Sequence, residues 1–350
     1  MTPTSWASQK YLATLILMTL SLVVLVVNSI FQGPVNISFD HVIHILTQQS
    51  DGSSELQGIR PWMTNILVDV RMPRVMVGAL AGACLAISGA VMQGMFRNPL
   101  ASPSILGVSS GASLGAVIAL YLGVASISVW ALPVFAFIGA GLSLFLVYRI
   151  ASQRGQISVG TLLLAGVAIG ALNAAVASLI LALSLSDWDV GRMIVYWTMG
   201  GLEGRTWDHV LLLLPFATLG IGSLLLFSRN LDALLLGEVH AMSIGVDVAH
   251  TRRWLLLITA LMVGATVSVC GSIGFVGLVV PHILRLVMGP HHRYLLPASA
   301  LGGAISLVGA DLFLRSVLPE KMIPLGVATA TLGAPFFLFL LIKKRWSILT

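Results

Sequence analysis

The ionisable residues of this chain fall in a few tight groups, and their types and spacing limit the chemistry open to them. Residues 236–253, LGEVHAMSIGVDVAHTRR, bring together Glu238, His240, Asp247, His250, Arg252 and Arg253. In SFDHVIHILTQQ, His41 and His44 are three apart and can share one helix face. Such a pair could hold a metal or haem iron, or it could be two solvated histidines on a helix lying at a membrane interface, and we take the second. Asp311 precedes Arg315 by four residues, the spacing of an ion pair on one helix face. Arg71 and Arg74 are three apart, again on one face. None of these groups has the make-up of a hydrolytic or phosphoryl-transfer centre. The only lysines are Lys10, Lys321, Lys343 and Lys344, and none follows a glycine, so there is no GxxxxGK[ST] phosphate loop. No HExxH helix is present. Cys84 and Cys270 sit in apolar runs without neighbouring histidines, as small buried hydrophobes do.

The surroundings of these groups are a membrane protein's. The chain is 57% hydrophobic and 9% charged, with 35 glycines, against roughly a quarter charged in a soluble domain. The pI near 9.7 does not point to nucleic acid, because the basic residues are scattered at the ends of apolar segments, where orientation in a bilayer accounts for them.

A helix crossing the hydrocarbon core needs about 20 apolar residues. That length picks out segments near 11–31, 71–95, 104–123, 130–149, 158–183, 207–227, 254–273, 275–289, 295–313 and 322–342. The first is longer than a signal peptide's apolar region and is read as a retained helix. The eighth is short and interrupted by Gly274, Gly277 and Pro281, which places it in the bundle interior. With ten spans both termini share a side, and a cytoplasmic N-terminus leaves twelve of the nineteen basic residues inside. Residues 36–70 are then periplasmic and 228–253 cytoplasmic. Small residues at four-residue spacing, Gly78, Gly82 and Ala86 and then Gly107, Gly111 and Gly115, predict close helix packing.

In this frame residues 236–253 are too polar to cross the membrane. Leu234, Leu235 and Leu236 lead to a turn at Gly237, Glu238 to Ile244 can form a short helix, and Gly245 suits the left-handed residue that ends it. Asp247 offers an N-cap for a further turn. Two short rigid helices at an angle make a knob that can fit a cleft in another protein.

Two sets of motifs carry a family resemblance. One is RMPRVMVGALAGACLAISGAVMQGMFRNPLASPSILGVSSGASLGA, residues 71–116. The other runs through LLLGEVHAMSIGVDV, then GSIGFVGLVVPHILRLVMGPHHRYLLPASALGGAISLVGAD, then IPLGVATATLGAPFFLFLL. In this order they closely resemble the iron-chelate and cobalamin permeases of type II ATP-binding-cassette (ABC) importers, over nearly all the chain after residue 65.

The resemblance implies an all-α polytopic membrane protein with ten transmembrane helices and both termini cytoplasmic, residues 1–350 forming one permease domain of the bacterial inner membrane. It implies a homodimer in contact with membrane lipid, two cytoplasmic ABC ATPase subunits and a periplasmic substrate-binding protein. ATP and Mg would be bound by the ATPase, leaving this chain without a cofactor, a resident metal or catalysis of its own. Leu236, Gly237, Glu238, Ala241, Gly245, Val246 and Asp247 fall on the segment that couples to the ATPase. Arg71, Arg74 and Arg315 fall on an arginine set that receives acidic residues of the binding protein. Ser158, Val159 and Gly160 occupy the place of the inner gate. Asn173, in the slick fifth span, together with Met92, Gln93 and Asn98, are further pathway candidates. The expected cargo is an iron chelate, a ferric siderophore or haem, with cobalamin as the alternative because YWTMGGLEGRTW (196–207) also resembles the cobalamin permeases. An ion-coupled secondary transporter is the other reading, and the scarcity of midplane acids counts against it.

Overall fold

The computed structural model describes residues 5–33, 35, 37, 39–47, 61–153, 156–157, 159–318 and 323–349. Its first half runs α1 (Ser5–Phe31), α2 (Phe39–Thr47), α3 (Pro61–Asn65), α4 (Met72–Met95), α5 (Val108–Tyr121) and α6 (Ala131–Ala151). After a two-residue antiparallel hairpin, β1 (Ser152–Gln153) with β2 (Gln156–Ile157), come α7 (Val159–Ser184), α8 (Trp188–Thr198) and α9 (Trp207–Leu226). The chain ends with α10 (Ser228–Leu235), α11 (Glu238–Ser243), α12 (Val248–Cys270), α13 (Val276–Met288), α14 (His292–Val317) and α15 (Leu325–Leu349). Among the described residues, seven helices are long and apolar enough to cross a membrane, and three shorter apolar ones lie at 108–121, 276–288 and 325–339. Every expected span meets one of these ten.

At the centre stands α4, apolar all round and buried for most of its length, as a helix without a polar face must be. It packs on α14, α13, α9 and α12. Gly82 and Gly303 meet so closely that a Cβ on either would overlap the other's carbonyl oxygen. Gly111 and Gly115 of α5 approach the backbone of α6 in the same way. Gly107 corrects the expected glycine face, for it is the left-handed residue (φ +73°) just before α5 rather than a packing position on it. Gly82→Leu is expected to force α4 from α14 and to lower the melting temperature sharply, with Gly220→Leu, whose nearest neighbour is the flexible Met262 side chain, the milder control. Thermal unfolding in detergent compares the two.

Two breaks shape the interior. Residues 96–107, including a 3₁₀ turn at Pro103–Leu106, replace the first turn of the expected third span. The eighth span is continuous through Gly277 and Pro281, contrary to expectation, and the break lies upstream at 271–275. There Gly271 (φ +69°) and Phe275 (φ +65°) are both left-handed. Pro281 denies the Gly277 carbonyl its helical partner, and that carbonyl instead lies against Gly89, where there is no Cβ to exclude it. At the 271–275 break, Gly201 donates to the Cys270 carbonyl (2.8 Å) and Gly326 to the Gly200 carbonyl (3.1 Å), so three chain segments meet backbone to backbone. Irregular backbone inside a membrane bundle is stable where it is buried in protein or lines a cavity.

Outside the bundle, α2 turns Val42 and Ile45 onto Ile37 and Leu67 in a small satellite core, rather than leaving them to the membrane interface that the sequence pattern suggested. The side chain of His44 and residues 48–60 lie outside the described set.

Candidate functional site

The bundle has two built ends and a hydroxyl-lined interior between them. At the end shared with Tyr11, whose ring stacks on Tyr294 (4.3 Å between centroids), α10 and α11 form a knob. Gly237 (φ +114°) makes the corner between them. Gly245 (φ +86°) closes α11 by a Schellman motif: Val246 N–H donates to the Ala241 carbonyl (3.0 Å) and Gly245 N–H to that of Met242 (3.0 Å). Asp247 is an N-cap, accepting from His250 N–H at 2.9 Å. The helix it caps is the long α12 rather than a second short one, so the knob's other short helix is α10, upstream of Gly237.

Two carboxylates clamp the knob to the bundle by hydrogen bonds. Arg252 donates to Glu238 at 2.6 Å, and this bond is the first reason the Glu238 carboxyl titrates below its ordinary range. The Asp232 carboxylate accepts from both the backbone N–H of His292 (2.8 Å) and its Nδ1 (2.7 Å). Burial works against ionisation of Asp232, but these bonds prevail and hold its pKa below the usual value. The His292 ring is fully buried against Gly94 of α4, so one side chain ties α10 to both α14 and α4. Asp232→Leu would leave a buried imidazole N–H without its acceptor, a cost of about 1–3 kcal/mol. Amide exchange across 228–243 is expected to speed up in that variant while exchange in α6 stays unchanged.

The knob's core is Ala241, fully buried. Its outer surface is apolar: Leu236, Val239, Met242 and Ile244 are all exposed, Val239 at 79%. Side chains of this kind on a rigid knob outside the bundle are what a protein cleft would bury.

At the opposite end the three arginines do not stand open. Arg71 is buried at 4% exposure and donates to the carbonyls of Ile30 (2.9 Å), Phe31 (2.8 Å) and Val35. Arg315 reaches the Ser29 carbonyl and hydroxyl and the Gln32 carbonyl (3.0 Å). Between them they satisfy carbonyls that the end of α1 would otherwise leave bare. Asp311, 2% exposed, takes Arg315 on one oxygen (2.9 Å) and Arg74 on the other (2.7 Å). The expected i,i+4 pair is therefore present, with Arg74 added from α4. Arg74 also donates to the exposed Glu203 at 3.0 Å. A π-helical turn at Ile66–Arg71 leads into α4, and the Trp207 indole N–H donates to the Val68 carbonyl within it (3.0 Å).

Between the ends, a cavity of about 450 Å³ opens among α5, α7 and α8, where Ser104, Ser109, Ser110, Ser113, Ser178, Thr198 and Ser272 stand among apolar residues such as Val117, Leu181 and Ile194. A second, of about 210 Å³, shares Ser104, Ser109 and Ser272 and reaches both backbone breaks. Of the pathway candidates, Asn173 lies nearest: its amide donates to Ser143 (2.8 Å) and to the cavity's Ser110 (3.2 Å), pinning α7 to α6 and α5. Met92 and Gln93 do not line the cavities but are buried in the α4 core, with Gln93 donating to the Leu278 carbonyl (3.0 Å). Asn98 is an exposed turn residue whose side chain accepts from Leu100 N–H (2.9 Å). Val159 and Gly160 begin α7 at the knob's end of the bundle, and Ser158 lies outside the described residues.

The hydroxyls are what sequence reasoning missed. The signal was Ser109 and Ser113 at i,i+4 on α5, facing Ser178 on the fifth span. Residues 107–111, GVSSG, also spell the nucleophile-elbow pattern GxSxG. A 3₁₀ turn rather than a strand precedes them, so the sharp strand-to-helix elbow is not built here.

Residues 21–343 match the FecCD transport family. The chain is 48% identical over 276 residues to the cobalamin import system permease protein BtuC of Halobacterium salinarum, spanning 79% of this chain and 73% of that protein. It is 44% identical over 281 residues to the Fe(3+) dicitrate transport system permease protein FecD of Escherichia coli (strain K12), 80% of this chain and 86% of that one. A solved metal-chelate type ABC transporter in an inward-facing conformation superposes with a TM-score of 0.82 at 32% identity, covering 95% of this chain and 99% of its own.

Proposed function

This chain belongs to the FecCD transport family, and from that premise we propose that it is the permease subunit of an ABC importer carrying an iron chelate inward by ATP-driven alternating access. A permease subunit is a transport part and not an enzyme. Its engine is a pair of ABC ATPase subunits that bind the ATP and Mg, and its cargo is handed over by a substrate-binding protein. The working unit is a homodimer in the bacterial inner membrane. Each copy crosses ten times with both termini cytoplasmic, as one permease domain.

In this orientation the knob is cytoplasmic and the arginine–Asp311 cluster periplasmic. The observation that carries the proposal is the knob, an apolar surface held rigidly to the bundle on a chain with no phosphate loop of its own. Closure of the ATPase dimer pushes on Leu236, Val239 and Met242. Gly237 and the Gly245–Val246 motif keep α11 from yielding, with Ala241 as its packed centre. Displacement then passes through Glu238–Arg252 and the Asp247 cap to α12, and through Asp232–His292 to α14 and α4. These helices adjoin the breaks at 96–107 and 271–275, where the serine-lined cavities lie. Hydroxyls offer weak, interchangeable hydrogen bonds, which suit a path through which cargo must pass without sticking. Val159 and Gly160, with Ser158, sit where the inner gate closes it, and Asn173 fixes the cavity wall.

At the periplasmic end the binding protein meets Arg74 and the exposed Glu203, while Arg315 and Asp311 hold Arg74 in place and Arg71 holds α1. Cobalamin is the second reading, favoured by the 48% identity to the Halobacterium salinarum permease.

Assembly tests the proposal. Co-expressed with its ATPase and binding protein, the chain is expected to purify as a dimer bearing two ATPase subunits, with ATP hydrolysis raised by the loaded binding protein. A chain that captures no ATPase would refute it.

A further inference from the structure

Beside the arginine cluster lies a pocket of about 310 Å³ between the end of α5, α8 and the turn that follows it. Its walls include Leu120, Met193, Tyr196 and Trp197, with Glu203 and Arg205 as its charged members. Two donors here have nothing to donate to: among the described residues, the buried Nε of Arg205 and the buried indole Nε1 of Trp197 have no hydrogen-bond partner. The nearest side chain to the rest of the guanidinium does not help. His209 Nε2 lies 3.5 Å from Arg205 Nη1, but its Nδ1 accepts from Thr206 N–H, so the neutral ring carries its proton on Nε2 and faces Arg205 as a second donor. Glu203 gives its bonded oxygen to Arg74. Buried donors without acceptors are costly and uncommon in native proteins, and two of them lining one pocket define what would fill it.

We propose that this pocket is an entry subsite for an oxygen-rich anion, a carboxylate-bearing metal chelate, whose oxygens accept from Arg205 and from the Trp197 indole while Tyr196 and Met193 cover its apolar parts. The proposal rests on the importer reading and deepens it, giving the cargo's chemical class and its first contact on this chain. Glu203 joins the pocket to Arg74, so the subsite borders the surface where the binding protein delivers. It also selects by hydrogen bonding: a carboxylate-bearing chelate offers strong acceptors to Arg205 and Trp197, and a cargo with only amide oxygens offers weaker ones.

The test is equilibrium dialysis of radiolabelled ferric citrate and of cyanocobalamin against the full-length protein in lipid nanodiscs. Trp197→Phe removes one N–H and keeps the ring packing, so it remains informative if Arg205→Gln folds poorly. The wild type is expected to retain ferric citrate, and each variant to hold it at least about tenfold more weakly, with cyanocobalamin retention the same in all three. No retention of ferric citrate by the wild type, equal retention by the wild type and Trp197→Phe, or a loss confined to cyanocobalamin would overturn the assignment. ATP-driven uptake by the wild-type assembly is read separately. Uptake with binding that Trp197→Phe leaves unchanged removes the subsite and keeps the importer. Absent uptake with binding that Trp197→Phe weakens does the reverse.

Discussion

Val239→Asp combined with Met242→Gln is expected to abolish ATP-driven uptake and ATPase co-purification while leaving the fold intact. Both side chains are exposed, Val239 at 79% and Met242 at 56%, so neither change opens a cavity in the protein. Surface substitutions of this kind stay within about 0.5 kcal/mol. Aspartate near the start of α11 is also favoured by the helix dipole. In an interface centred on these residues, the loss of apolar anchors costs upwards of about 2 kcal/mol, roughly a 30-fold weakening. Ala241→Leu is the informative contrast. Ala241 is fully buried, so a larger side chain overpacks the knob at about 1–3 kcal/mol, and uptake should fall together with stability. Unchanged co-purification in the Val239/Met242 variant, at an unchanged melting temperature, would move the ATPase contact elsewhere on the chain.

Asp311→Ala is expected to be the most destabilising single change at the opposite end. The carboxylate is 2% exposed and takes Arg315 on one oxygen and Arg74 on the other. Its removal leaves two largely buried guanidinium groups facing each other, with only the exposed Glu203 beside Arg74 as counter-charge among the described residues. Breaking a buried pair from one side costs about 3–5 kcal/mol. Arg315 also holds the end of α1 through Ser29 and Gln32, so amide exchange near residues 29–33 should rise in the same variant. Denaturation in detergent measures the first effect and exchange mass spectrometry the second. A change below about 1 kcal/mol would mean that the cluster is more hydrated than its burial implies.

Hydropathy alone located the seven long apolar helices, the three shorter ones and the polar stretch between two of them, because apolar runs of about 20 residues and a polar interruption at 236–253 are one-dimensional signals. It could not place the breaks. Ile105 and Leu106 are as apolar as a helix interior, so the 3₁₀ turn before α5 reads as part of a span until Pro103 and the left-handed Gly107 are given their geometry. Pro281 misled in the opposite sense, since its unbonded carbonyl partner at Gly277 is accommodated by a glycine on another helix, and no local rule contains that. The arginines teach a similar lesson. Spacing paired Arg315 with Asp311, but that Arg74 shares the same carboxylate depends on two helices meeting 237 residues apart in the chain. The serine-lined cavities and the donor-rich pocket at Trp197 and Arg205 are convergences of single residues from several helices. Each looks ordinary in its own segment.

The central claim is that this chain moves its cargo with ATP hydrolysed by another subunit. The most direct measurement is uptake of radiolabelled ferric citrate and of cyanocobalamin into proteoliposomes holding the chain with its ATPase, the binding protein outside and ATP enclosed or withheld. Accumulation of ferric citrate that requires enclosed ATP and vanishes in the Val239/Met242 variant is the predicted result. Accumulation that ignores ATP and follows an imposed ion gradient would contradict it.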